Sequence, residues 1–420
     1  MTPSLDQSNH VKTNRILVVG AGFAGATVAR TLAEAGYQVL VIDARNHVAG
    51  NAYDYINEHN IRVHKYGPHL WHTSNDEVQS WASRFTDWLP YKHHVKAQLS
   101  DGRCVPLPIN QQTIEMVFGQ RFFDWCHENG WDAPYGEIHS GAHAAFLDSL
   151  TVKHENVTNS LEHVESSVGR ELCNLFFGPY TKKMWGLDLK QLPASVAARI
   201  PTNVETNSDL YFPKDKHQYL PKEGYTVMVS NILNHPNIKV QLGISRQELL
   251  RSENRQSWES ALGFKLQFSH TFTSEPIDTY FDCQLGELPW RSIKMHTYSV
   301  PVINALEAPV VNFTHSGEFT RITEWKQLPG HGDNSVWTTL TAEQPCDYRD
   351  NNNERYYPVK TSQTDCPHRA LYQKYRELAD QDSTVTFIGR CGMYVYTDMA
   401  PCISSSLAIA NKWLKEQNEV

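Results

Sequence analysis

The chain has 420 residues, a formal net charge of −8, and 40% hydrophobic, 20% charged and 11% aromatic residues. At roughly 150 residues per domain, this length suggests two or three domains, with aromatic bulk for cores and for lining a site. The acidic balance disfavours nucleic acid or an anionic membrane as main partner, the composition excludes disordered and collagen-like chains, and no apolar run reaches the roughly 18–20 residues of a membrane-spanning helix.

Met1–Arg15 is polar and lacks an apolar core, so no secretory signal is expected and the chain reads as cytoplasmic. Its eight cysteines are then reduced thiols; none forms CxxC, and none is assigned a catalytic role. The sequons at Asn156 and Asn312 carry no meaning in that compartment. Residues 1–14 read as a frayed tail. Arg15–Val19 is a short run rich in β-branched residues, ending at Gly20, and reads as a buried parallel strand. Gly20-Ala21-Gly22-Phe23-Ala24-Gly25 follows, then an Ala-rich helix from Ala26 to Ala35 stopped by Gly36. Tyr37 to Asp43 is a second strand with an acid at its tip, completing a βαβ unit of about 30 residues.

Residues 51–75 are loop-rich and dense in His, Tyr and Trp, and His93-His94 reads as a solvated pair. From Ile109 to Arg199 the pattern turns helical. Its clearest helix begins near Asn159, with Glu162 three residues on as a capping box and Leu161, Val164, Val168, Leu172, Leu175 and Phe176 at helical spacing. Leu210 to Tyr219 looks extended, Gly224 to Leu233 looks helical, and 244–271 reads as a variable surface excursion. From Asp278 to Thr341 short alternating runs predict antiparallel strands. Val385 to Gly389 predicts a last strand, and Ile403, Leu407, Ala410 and Leu414 mark a closing helix.

The glycine fingerprint has its required context of strand, helix and acid. Gly20 permits the tight turn, Gly22 the approach of a pyrophosphate, and Gly25 close helix–strand packing. The phosphates meet free N–H groups at the helix start. Asp43 can accept from both ribose hydroxyls and would repel a 2′-phosphate. The fingerprint does not choose between FAD and NAD. Gly50-Asn51 after the acid, and Gly389-Arg390 before a helix whose N-terminus can face a flavin, favour FAD.

Blocks along nearly the whole chain resemble the bacterial UDP-galactopyranose mutase family. They are the Gly20–Gly25 loop, Arg45 to Tyr53, His64-Lys65-Tyr66-Gly67-Pro68-His69-Leu70-Trp71-His72, Tyr180 to Gly186, Leu192 to Pro201, Pro276 to Asp282, Trp290-Arg291-Ser292, Phe319 to Ile322, Tyr356-Tyr357-Pro358 and Tyr394 to Met399. The resemblance implies an isomerase that converts UDP-galactopyranose to UDP-galactofuranose for surface glycans. N5 of reduced FAD is the nucleophile at the anomeric carbon, and there is no net redox change. It implies a homodimer and an external flavin reductant of unknown identity.

Residue by residue, the resemblance assigns Arg199 and Arg321 to the pyrophosphate, where a planar guanidinium binds phosphate oxygens bidentately. Tyr211, Tyr357 and Tyr396 match phenolic phosphate donors; Phe176, Phe177 and Tyr180 match the uracil pocket. Trp185 matches a loop tryptophan that closes and excludes water. Arg291 lies at the pocket margin, Asp398 orients local groups, and the Pro68 carbonyl accepts the flavin N5–H. His69 and His72 lie near the flavin; with no third ligand nearby, no metal is expected. The cofactor set is Gly20, Gly22, Phe23, Gly25, Asp43, Ala44, Arg45, Gly50, Asn51, His69, His72, Arg390 and Met399. The chain departs from the family's pattern at Ala49 (commonly Gly), Trp71 (Phe), Trp325 (His) and Asn203 (an arginine expected nearby). A mutase for another nucleotide sugar, such as UDP-N-acetylgalactosamine, therefore stays open. So does a net FAD oxidoreductase of amine-oxidase type.

The expected architecture is α/β. A discontinuous Rossmann-type FAD-binding domain (12–82, 218–245, 355–420) carries a helical insertion (110–198) and a mainly antiparallel β-sheet domain (83–109, 199–217, 270–354). The substrate cleft is expected where the three meet.

Overall fold

The computed structural model describes residues 14–131, 138, 141–197, 202–206, 208–263, 265–332, 334–359 and 367–419. They form two compact units. The first is Met1–Gly50, Met228–Gln284 and Tyr375–Val420, and the second is Asn51–Val227 and Leu285–Lys374.

The first unit is built on a five-stranded parallel sheet in the order Ile238–Leu242, Gln38–Asp43, Arg15–Val19, His270–Thr273, Val385–Phe387. Arg15–Val19 is central and buried on both faces, which is why its sequence is a continuous apolar run rather than an alternating one. The helix Phe23–Glu34 packs against the sheet and the closing helix Met399–Asn418. Gly36, at φ +93°, ends the first helix, donating its N–H to the Ala33 carbonyl.

Residues 244–271 correct the expectation of a surface excursion. They hold the helices Arg246–Leu250 and Ser252–Leu262 and the first residues of the strand His270–Thr273. Leu249, Leu262 and Leu266 are buried against Leu17, Val19, Leu40 and Ile42, with Trp258 and Phe268 alongside, so this segment covers one sheet face. Its few apolar residues are spread thinly, which hides the period. His270–Thr273 reads as polar, yet it pairs on both sides, with Ile16–Val19 and with Val385–Phe387. It belongs to the parallel sheet, not to the antiparallel region that 270–354 was expected to form.

The second unit contains a seven-stranded sheet ordered Tyr357–Pro358, Trp290–Val300, Thr338–Asp347, Arg321–Glu324, Val310–Phe313, Val95–Gln98, Cys104–Leu107. All neighbours are antiparallel except Val310–Phe313 with Val95–Gln98. Residues 51–82 and 355–374 group with this unit, unlike the boundaries expected from sequence. Local packing explains it: Tyr66 clusters with Ile293 and Tyr356, and the buried Asp54 carboxylate accepts from Tyr225 and Thr226 N–H groups at the start of the helix Tyr225–Leu233.

Helices from Gln111–Phe118 to Ala194–Ala197 share one apolar core. Asn159 caps the helix Ser160–Leu172 by accepting from the Glu162 N–H at 3.1 Å; the Glu162 carboxylate returns to the Thr158 N–H and hydroxyl. Helical spacing does not run on to Phe176. Gly169, at φ +78°, breaks the helix where a Cβ would meet the Leu150 carbonyl, and Cys173–Phe177 forms a π-helical turn. Of the stretch expected to be extended at Leu210–Tyr219, only the end lies in a strand, His217–Pro221; residues before it form bends and turns.

Candidate functional site

The fingerprint loop in the first unit has the close contacts a dinucleotide cradle needs. Gly20 sits at φ +103°, and a Cβ there would overlap the Ser274 hydroxyl. A Cβ on Gly25 would lie 1.9 Å from the Gly20 carbonyl oxygen. One on Gly22 would touch Gly50 at 3.6 Å. The helix start carries no acidic residue and no side-chain cap at Gly22, which leaves its positive end for an external anion. Asp43 Oδ2 accepts from the Ala21 N–H and Oδ1 from the Arg45 N–H, both at 2.8 Å, so the acid fixes the loop and keeps a lone pair on each oxygen. Phe23 is buried at the helix start, while Ala44 is exposed beside Asp43. Ala49 holds a left-handed backbone (φ 71°) where the resemblance expects glycine. Because backbone meets backbone at Gly25, Gly25→Ala is expected to cost at least about 3 kcal/mol and to abolish dinucleotide retention. A thermal melt and the cofactor content of the purified variant check this.

The same unit presents the C-terminal segment. Gly389, at φ +68°, sits against Ala24. Arg390 donates to the Thr397 carbonyl at 2.6 Å and lies over the Tyr396 ring at 4.8 Å. Asp398 is the N-cap residue of the helix that Met399 opens. Arg390, Tyr396, Asp398 and Met399 are thus neighbours on one turn and one helix start.

In the second unit the strand Arg321–Glu324 places Arg321 beside Glu343 of Thr338–Asp347, Nε to Oε1 at 2.6 Å. Glu343 is 1% exposed. Tyr180 and Tyr357 also surround the guanidinium; burial alone would lower its pKa, but Glu343 and the two phenols raise it. Only Nε is taken. Nη1 and Nη2 make no hydrogen bond among the described residues, so a half-buried, permanently charged fork is oriented but open. The Tyr180 hydroxyl likewise has no hydrogen-bond partner among the described residues; burial and the nearby Tyr211, Glu343 and Tyr357 keep it protonated, against the pull of Arg321. Arg199 and Asn203's side chain lie outside the described set.

Trp185 ends the helix Gly178–Trp185, edge-on to Tyr357 with centroids 6.1 Å apart. Arg291 does not point to open space at the pocket margin. Its Nε donates to the Met184 carbonyl and its Nη2 to the Lys183 carbonyl, capping that helix. Lys183 in turn donates to the Phe313 and Phe319 carbonyls, with burial bringing its pKa down to about 8. Phe176 and Phe177, expected at a uracil, are buried in the helical core, the usual fate of an apolar stripe.

The turn Gly67-Pro68-His69 is held from inside. The His69 N–H donates to His64 Nδ1, so the neutral His64 carries its proton on Nε2, facing His331 Nε2 at 3.0 Å. His69 Nδ1 is 2.8 Å from the Gly67 carbonyl, and the Pro68 carbonyl accepts no hydrogen bond among the described residues. His72 stacks on Phe212 at 3.7 Å and meets Asp215 at 2.7 Å. Two departures are structural. Trp71 and Trp325 are fully buried, their indoles donating to Gln79 and Thr341.

The His93-His94 expectation is corrected. His94 is partly exposed and paired with Asp209, but His93 is buried beside Tyr91, Tyr211 and Phe212. Alternation along Val95–Gln98, running back through His93, turns it inward. Glu343 was also missed. Period two from Thr339 and Thr341 puts it on their buried face, and a lone acid on such a face was the available signal. Among the described residues no group of His, Cys, Asp or Glu could hold a metal ion, and no helix is long and apolar enough to cross a membrane.

A family model described as UDP-galactopyranose mutase matches residues 175–396, and one described as an NAD(P)-binding Rossmann-like domain matches 18–85. A dTDP-fucopyranose mutase of Escherichia coli is 31% identical over 97% of this chain and 100% of its own length. A Klebsiella pneumoniae protein named "Probable UDP-galactopyranose mutase" is 31% identical over 96% of each chain. The crystal structure of a reduced UDP-galactopyranose mutase shares the fold with a TM-score of 0.68, at 15% identity over 96% of this chain and 95% of that one. The chain belongs to the UDP-galactopyranose mutase family.

Proposed function

We propose that the chain interconverts UDP-galactopyranose and UDP-galactofuranose, using reduced FAD bound by the first unit. The observation that carries this reading is Arg321, a half-buried guanidinium oriented through Nε by the buried Glu343 with both terminal nitrogens open. A diphosphate leaving group needs such a fork, and amine oxidation gives it no role.

When bound, reduced FAD supplies at N5 a nucleophile for the anomeric carbon, with no net redox change. The Gly20–Gly25 loop and Asp43 hold the dinucleotide. Pro68, whose carbonyl accepts no hydrogen bond among the described residues, would accept the N5–H of the bound flavin, and His69 and His72 would contact the cofactor. Arg321 and Arg199, with Tyr180, Tyr211 and Tyr357, stabilise the negative charge that collects on the β-phosphate as the C1–O bond breaks. They hold the diphosphate for its return after the sugar has changed ring size. Arg291 and Lys183 fix the helix that presents Trp185, whose closure keeps water from the anomeric carbon.

A second reading has its own support in the Escherichia coli relative named for dTDP-fucopyranose. Fucose is 6-deoxygalactose, so the same chemistry at C1 and O4 serves either sugar. The test is anaerobic turnover by dithionite-reduced protein on UDP-galactopyranose, UDP-N-acetylgalactosamine and dTDP-fucopyranose. Interconversion is expected only after reduction, fastest with UDP-galactopyranose. Equal activity in the oxidised protein would sink the nucleophile mechanism, and oxygen consumption with flavin bleaching would make the enzyme an oxidoreductase.

A further inference from the structure

His93 has a polar atom that nothing above uses. The residue is 5% exposed. Its Nδ1 lies 2.9 Å from the Tyr91 hydroxyl, and its Nε2 has no hydrogen-bond partner among the described residues. The ring is edge-on to Tyr211 at 5.7 Å and within the field of Arg321. The ring is buried while Nε2 keeps no protein partner, so that nitrogen is available to a ligand.

We propose that His93 contacts substrate, with Nε2–H donating to a diphosphate oxygen of the nucleotide sugar held by Arg321. Burial keeps the Tyr91 phenol protonated, and in the tautomer this proposal assigns its hydroxyl donates to Nδ1, which puts the ring hydrogen on Nε2. The ring stays neutral because burial, then Arg321, His94 and His72, oppose a second proton, bringing its pKa to about 3. The site thereby gains a donor for the diphosphate without burying another cation next to Arg321.

The inference rests on reading Arg321 as the diphosphate site, and the two can fail separately. The test is calorimetric binding of UDP to the intact protein. If wild type binds no UDP, the reading of the site fails. If wild type binds and His93→Phe binds equally well, this inference alone fails. The expected result is UDP affinity weakened about 10- to 100-fold in His93→Phe, with largely restored binding in His93→Gln, whose amide can donate from a similar position. Tyr91→Phe, which releases the tautomer without touching His93, is expected to weaken UDP binding by a smaller factor and remains informative if His93→Phe does not fold. Unchanged affinity in Tyr91→Phe together with no rescue by His93→Gln would overturn the proposed donor.

Discussion

Arg321→Ala is expected to abolish turnover and to destabilise the second unit, and the two losses have separate causes. Removing the guanidinium takes the open Nη groups from the diphosphate, a charge-assisted contact worth on the order of 2–4 kcal/mol in UDP binding. It also strands Glu343, whose carboxylate is buried and paired with Nε at 2.6 Å. Breaking a buried pair from one side costs about 3–5 kcal/mol, because the remaining charge must be protonated or left unsolvated. Adding Glu343→Gln to Arg321→Ala removes that stranded charge. The double variant should recover most of the stability in chemical denaturation while its UDP affinity stays as low as that of Arg321→Ala. Glu343→Gln alone should keep UDP binding measurable but weakened, because the fork is no longer aimed. Arg321→Lys should fail too, since one ammonium cannot face Glu343 and both phosphate oxygens in a fixed plane. If Arg321→Ala bound UDP as tightly as wild type, the diphosphate assignment would be wrong whatever happened to stability.

The fold was most legible where one local rule dominates. Arg15–Val19, the glycine loop and Asp43 were readable because a buried parallel strand, a tight turn and a strand-end acid each demand particular residue types. The closing helix was readable from its period. His270–Thr273 was not, because a central strand of His and Thr is defined by its two neighbours rather than by apolar letters. The helices Arg246–Leu250 and Ser252–Leu262 hid in the same way, each offering the sheet only a few side chains. Family resemblance supplied Arg321 and Tyr357, but a motif could not reveal that Glu343 occupies one edge of the arginine. Nor could it show that Arg291 spends its donors on the helix end before Trp185. Such partners come from distant strands and helices, so only the tertiary pairing exposes them. His93 and His94 make the point with adjacent residues: alike by letter, they lie on opposite sides of the backbone.

Stability is expected to fall steeply as pH drops below about 6.5, ahead of the range where carboxylates titrate. Three histidines are buried in neutral form. His64 is held well below its ordinary value by burial, then by His331, His69 and Arg62. His93 is brought to about 3, and His270 to about 4, mainly by burial and against a weak opposing pull from Asp382. Each folded pKa lies below the unfolded one. Between the two values the unfolded chain binds the extra proton, so the stability present above pH 6.5 is lost as pH falls towards the folded values. Between its two values each histidine costs about 1.4 kcal/mol per pH unit, which for His93 and His270 comes to roughly 2 kcal/mol each by pH 5. His64 adds to the loss in the same direction, and the total is a large share of the roughly 5–15 kcal/mol by which domains are ordinarily stable. Two of these histidines belong to the second unit and one to the first, so the steps can be told apart. His270 touches Thr386 by one hydrogen bond and otherwise packs on Phe272 and Trp413, so His270→Phe should be tolerated and should flatten the first unit's acid transition. In the second unit, His64 and His93 should still drive unfolding with net proton uptake. Denaturant titrations at pH 7.5, 6 and 5 decide the matter. A stability that stays level across that range would mean that these imidazoles accept protons without unfolding, which would contradict the tautomer chain through His64 and the neutral state of His93.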